Sequence, residues 1–149
     1  MTEHMLGEGE GVERLNHPSP LADEALGPFV EMICRGQDYE LTALLSPEDL
    51  GWALARGNWF VTHGRQPAKR GQRGYAVRSE GKRLLWLHKE VLIRAGVIPP
   101  SPAHTIGDHI NGVRLDCRRR NLRWATPKIN ANNIHGFAFK QMELELWAS

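Results

Sequence analysis

The sequence predicts an α+β fold: a small antiparallel sheet with short helices, followed by a strand–loop–strand–helix unit. Two observations carry this. Residues 105–133 read as a strand, a tight turn at Asn111-Gly112, a loop, the strand-like Asn121-Leu122-Arg123-Trp124-Ala125-Thr126, and a helix after Thr126-Pro127. Ahead of that unit, between residues 38 and 95, short apolar stretches bounded by turn residues alternate with two helical stretches.

The elements follow in order. Residues 1–20 are rich in Gly, Glu and Pro without periodicity and are expected to form a flexible acidic tail. Residues 21–35 suggest a short helix interrupted at Gly27-Pro28. Residues 38–46 suit a strand. Ser46-Pro47-Glu48-Asp49 is a helix start, with Ser46 as N-cap, Pro47 in the first position and acids in the first turn. That helix should stop at Gly57. Residues 59–62, 74–78 and 83–87 read as three strands, the last two joined by a hairpin turn at Ser79-Glu80-Gly81-Lys82. Leu87–Ala95 forms an amphipathic helix with Leu87, Val91, Leu92 and Ala95 as its apolar stripe. Pro99-Pro100-Ser101-Pro102 is a stiff connector. Residues 137–149 add a final helix that packs Phe139, Met142 and Leu146 on the core.

Within the 105–133 unit, Thr126 is a good N-cap and Pro127 suits the first helical position. The two-residue strand period puts Asn121 and Arg123 on one face and Leu122 and Trp124 on the other. Asp108, His109, Asn121, Arg123 and Asn130 can then converge, with Leu122, Trp124 and Ile129 beneath them.

The net charge of +2 conceals a segregation. Residues 1–50 hold 11 acids and 2 Lys/Arg, net −9, whereas residues 51–140 hold 17 Lys/Arg and 4 acids, net +13. Such a basic region is an electrostatic footprint for nucleic acid. The loop 63–74 carries Arg65, Lys69, Arg70 and Arg73 and no acid. No apolar run approaches membrane-spanning length, and no signal peptide is visible. The two cysteines, Cys34 and Cys117, cannot make a four-thiolate zinc site. A reduced, cytoplasmic protein, bacterial or phage-encoded, is expected.

Asp108-His109, Asn111-Gly112, Leu115-Asp116, Asn121-Leu122-Arg123, Thr126, Asn130 and Asn133 together resemble the motif of the HNH endonucleases, the ββα-metal fold. The spacing, twelve residues from His109 to Asn121 and nine more to Asn130, is similar to the phage and intron homing subgroup that ends in Asn. Cys117 departs from the Asn common after this Asp. The preceding region, with Leu87-His88-Lys89, resembles the three-stranded DNA-binding sheet of AP2-type domains. The expected organisation is an acidic arm over 1–36, an AP2-like sheet over 37–82, a nuclease core over 83–136 and a C-terminal helix or tail over 137–149.

The resemblance implies a DNA endonuclease. His109 would be the general base, since neutral imidazole is available near neutral pH, and Asn121 would fix its orientation. Asp108 and the Asn130 amide oxygen would hold Mg²⁺ or Mn²⁺, which prefer hard oxygen ligands. Arg65, Lys69, Arg70, Arg73, Arg78, His88, Arg118, Arg119 and Arg123 are candidates for contact with double-stranded DNA, mostly at phosphates. Plainer roles stand beside these. Arg123 either meets the phosphate or faces solvent. Asp116 ties down the loop through Arg118, Arg119 or Arg120. Asn132 and Asn133 cap the helix end or touch DNA. His88 is structural or a phosphate contact rather than a second base. The alternative function is a catalytically silent, sequence-specific DNA-binding module of the same fold. Monomer and homodimer both remain open.

Overall fold

A six-stranded sheet carries most of the core in the computed structural model, which describes residues 20–36, 39–62, 74–134 and 136–148. In chain order the elements are α1 (Pro20–Ala25), β1 (Val30–Arg35), β2 (Glu40–Leu45), α2 (Pro47–Ala55), β3 (Phe60–Val61), β4 (Ala76–Glu80) and β5 (Arg83–Trp86). Then come α3 (Leu87–Arg94), β6 (Ile106–His109), β7 (Asp116–Cys117), a 3-10 turn (Arg119–Asn121), β8 (Leu122–Ala125), α4 (Pro127–Asn132) and α5 (Phe137–Ala148). The fold is α+β. The large sheet runs β5-β4-β3-β1-β2-β7, and β6 pairs with β8 in a separate two-stranded ladder. The acidic stretch up to residue 19 and the basic loop with Arg65, Lys69, Arg70 and Arg73 lie outside the described residues.

The helix expected over 21–35 is corrected: only Pro20–Ala25 is helical, and Val30–Arg35 is a strand. Gly27 takes a left-handed conformation (φ 87°), and Pro28 cannot donate the hydrogen bond that would continue the helix. Beyond the break, buried Met32 and Cys34 alternate with exposed Glu31, Ile33 and Arg35. This period of two fits the antiparallel ladder with β2, from Val30↔Leu45 to Arg35↔Glu40. The sheet thus takes β1 from the segment set apart as an arm. It takes β7 from the segment after residue 83, with Leu45 opposite Cys117 in parallel.

The core gathers Met32, Cys34, Ala43, Leu45, Trp59, Leu87, Val91, Leu92, Leu115, Cys117 and Leu122. Both cysteines are free and buried. Helix α3 buries Leu87, His88, Val91 and Leu92 and packs on β4, β5, β6 and β8, so it couples the two sheets. A second cluster joins Leu26 of α1 to Phe139 of α5, with Ile110 and Met142 beside them. Ile129 is exposed rather than packed beneath the strands, because it faces outward from the short helix α4. Among the described residues no helix is long and apolar enough to cross a membrane.

Ser46 precedes α2 as expected, yet its hydroxyl makes no cap bond and instead accepts from the Arg119 amide at 3.0 Å. Asp49, one turn on, is fully buried. Its carboxylate accepts from Arg119 Nε and Nη2 at 2.8 and 2.7 Å and from Arg94 Nε at 3.0 Å. Burial alone would push this carboxyl up, but the two guanidinium groups outweigh it and hold it below its ordinary value. A carboxyl lowered in the folded state stabilises the fold above its unfolded value of about 4 and stops doing so as pH falls through the folded value. Asp49→Asn should therefore cost about 2 kcal/mol at pH 7. That is less than for a fully buried pair, because both arginines are partly exposed. The deficit should shrink between pH 5 and pH 3 in urea unfolding; a deficit independent of pH would mean the charge is not what matters.

Candidate active site

Strands β6 and β8 set the site. Their register pairs Gly107 with Trp124, Asp108 with Arg123 and His109 with Leu122. Asp108 and Arg123 therefore project to the same face, and Arg123 Nε donates to Asp108 Oδ2 at 2.8 Å. The Asn133 side-chain amide donates to the same oxygen at 3.0 Å, and to the carbonyls of His109 and Ile110 at 3.0 and 3.2 Å. Asn133 Oδ1 in turn accepts from the Ala138 amide at 2.7 Å. One buried side chain thus ties β6 to the end of α4 and the start of α5. Its place was legible as a helix-end residue, three after Asn130. Its bond to Asp108 had no sequence signal.

Asp108 is buried. Burial pushes its carboxyl above the ordinary value, against the opposing pull of Arg123, Asn133 and the His109 backbone. His109 is buried as well, and its Nε2 has no hydrogen-bond partner among the described residues. Burial first, then the nearby His88 and Arg114, hold this imidazole well below its ordinary value, so the ring is neutral at pH 7.

Around His109 lies a ring cluster drawn from distant parts of the chain. Its ring centroid is 4.6 Å from that of His88 and 5.9 Å from that of Tyr75. Tyr75 stacks on His88 at 5.3 Å with 27° between planes, meets Trp86 edge-on, and carries the Arg114 guanidinium 4.8 Å above its centre. Tyr75, Trp86 and Arg114 were not singled out from sequence. Nothing local marks them, since the cluster forms only when the residue before β4, the end of β5, α3 and the loop after β6 meet.

Asn121 sits in the 3-10 turn rather than in the strand and is fully buried. Its side-chain oxygen accepts from the Asn111 amide at 3.0 Å, and its Nδ2 donates to Asn111 Oδ1 at 2.9 Å and to the Asp116 carbonyl at 2.8 Å. These bonds close the loop after β6. None of them is to the His109 ring. Asn130 is half-buried on α4, which packs on β6 and begins at the Thr126 cap, where the hydroxyl accepts from the Ile129 amide. Its side chain enters no hydrogen bond among the described residues.

Three of the candidates for DNA contact are buried. Arg118 is 2% exposed; it chelates Asp116 at 2.9 and 2.7 Å and bonds Asp23 and the Gly27 carbonyl. Arg78 is 7% exposed, lies over Trp59, and pairs with Glu80 and Glu90. His88 is 5% exposed and belongs to the ring cluster. Arg119 is partly exposed and bound to Asp49, and Arg123 is partly exposed and bound to Asp108. Asp116 does tie the loop down through Arg118, as the sequence suggests.

Residues 92–132 match the family model described as HNH endonuclease. No curated protein and no solved structure matches the chain.

Asn121→Ala would remove the side-chain bonds to the Asn111 amide, the Asp116 carbonyl and Asn111 Oδ1 in a buried loop, leaving Asn111 Oδ1 with the Val113 amide alone. It should cost about 2–4 kcal/mol in urea unfolding. A loss under 1 kcal/mol would show that water takes over these bonds.

Proposed function

We propose that the chain is a metal-dependent DNA endonuclease of the HNH type, with His109 as its general base. The observation that carries this reading is the neutral, buried His109 ring, whose Nε2 has no partner among the described residues and which adjoins Asp108 in a segment matching the HNH endonuclease model. Buried polar nitrogens are nearly always satisfied, so an orphan at this place suits a group that accepts a proton during turnover.

The donor set fits a magnesium-like ion. Among the described residues no group of three or more His, Cys, Asp or Glu is arranged to hold a metal. A zinc cage is therefore not built from these side chains, whereas one carboxylate and one amide oxygen suit a hard ion that keeps much of its water. Asp108 and Asn130 would hold it. The hydrogen bonds from Arg123 and Asn133 both fall on Asp108 Oδ2, which favours Oδ1 as the oxygen offered to a cation. Mg²⁺ or Mn²⁺ held by Asp108 and Asn130 would supply charge neutralisation at the phosphate and at the departing 3′-oxygen. His109 takes the proton from the attacking water at Nε2. Arg123, held at the edge of the site by Asp108, is placed to neutralise a phosphate oxygen. Asn121 acts one step back: it fixes the loop whose Ile110 amide donates to its own carbonyl at 2.8 Å, and so fixes the end of β6 that carries His109.

A second reading is a DNA-binding module without cleavage. The Asp108–Arg123 ion pair favours it, because the guanidinium already neutralises the carboxylate that would hold a cation.

His109→Ala should abolish cleavage while changing DNA affinity in gel shifts by less than about threefold. Equal loss of both would make His109 structural. Affinity should fall linearly on a log–log plot against salt, as expected when phosphates are neutralised and counterions released. Removing charge at Arg70 and Arg73 together should flatten that slope by roughly 2 if both meet phosphates. An unchanged slope would take the 63–74 loop out of the interface.

A further inference from the structure

A general base must be held in one orientation, and Asn121, the residue expected to do this, spends its side chain on the loop. We infer that His88 and Tyr75 are the positioning residues for His109, clamping its imidazole by ring contact. This rests on the reading of His109 as the base.

Four observations bring His88 to that role. Its ring is the nearest ring to His109, with centroids 4.6 Å apart. It is itself held on both sides, stacked on Tyr75 at 5.3 Å and packed against the backbone of Gly107, two residues before His109 on β6. Gly107 is the one residue that allows this approach: a Cβ there would lie 2.5 Å from His88 Cδ2 and 2.9 Å from Nε2. His88 also stays uncharged at neutral pH, since burial and the neighbouring Lys89 bring its pKa down to about 4, so it packs beside His109 without charge repulsion.

Tyr75, the residue before β4, closes the clamp. It touches both imidazoles, is braced edge-on by Trp86 and is covered by Arg114. The result is a three-ring contact in which each ring touches the other two. Rotation of His109 about its side-chain torsions would have to displace His88, which is packed between the Gly107 backbone and Tyr75. The clamp therefore couples the first sheet, through β4 and α3, to the strand that carries the base. It gives His88 a role unrelated to phosphate.

The test uses the full chain with His88→Ala, His88→Phe and Gly107→Ala, assayed for plasmid nicking with Mg²⁺. His88→Ala should lower kcat by about 10- to 100-fold, the usual cost of a base misplaced by around an ångström, with KM and gel-shift affinity within about twofold. His88→Phe, which restores a ring, should recover most of kcat. Gly107→Ala should behave like His88→Ala. Histidine-ring NMR of the same proteins supplies a second readout: in the wild type His109 should give one sharp ring signal shifted by its aromatic neighbours, and in His88→Ala that signal should move toward the free-imidazole position or broaden. Full activity and an unmoved His109 signal in His88→Ala would overturn the clamp. So would equal loss in His88→Ala and His88→Phe with folding intact. If the wild type cuts no DNA, the nuclease reading fails, and the NMR comparison still decides whether these rings hold His109.

Discussion

The backbone between His109 and Asn121 has to leave β6, add β7 beside β2 at the edge of the large sheet and return toward β8, with several of its polar groups out of water. An unpaired buried amide or carbonyl costs about 1–3 kcal/mol, so this loop needs internal partners. The Asn121 side chain supplies two of them, to the Asn111 amide and the Asp116 carbonyl, and also bonds the Asn111 side chain. Asp116 then anchors Arg118, which reaches Asp23 and the Gly27 carbonyl near α1. Next along the chain, Arg119 reaches Asp49 in α2. The polar loop is thus the joint through which the N-terminal elements and α2 are fixed to the strands of the site. The end of β6, with Asp108 and His109, inherits its position from that joint.

The same network changes what the charge count means. A net +13 over residues 51–140 suggests an extended basic surface. Yet Arg78 and Arg118 are buried in ion pairs, and Arg94 and Arg119 share the buried Asp49. These cations neutralise acids of the structure itself, two of them in the acidic first 50 residues, Asp23 and Asp49. The segregation of charge along the sequence is partly an account of which segments attract each other in the fold. What remains for a nucleic acid is smaller than the sequence total.

The legible parts were those fixed by local chemistry. The Asn111-Gly112 turn appears with Gly112 at φ 75°, Thr126 caps α4, and the hairpin turns at Gly81. The pairing of Asp108 with Arg123 follows from a two-residue period and an antiparallel register. What was hidden depends on contacts far apart in sequence. Strand β1 was mistaken for a helix because Leu, Ala and Glu before Gly27 favour a helix; the strand declares itself only through its ladder with β2. His88 carried a weak local signal, a histidine opening an amphipathic helix. Its partners Tyr75, His109 and Gly107 are brought to it by the packing of α3 on β4 and β6. Burial of Arg118 and Arg78 was equally invisible, since an arginine in a basic run reads as exposed until its carboxylates are located.

Nicking of supercoiled plasmid by the wild-type chain in Mg²⁺, with an EDTA control, tests the central claim most directly. Open-circle or linear product that appears with Mg²⁺ and vanishes with EDTA is the result expected of a metal-dependent base at His109. Folded protein that shifts the plasmid yet leaves it closed in both Mg²⁺ and Mn²⁺ would contradict it.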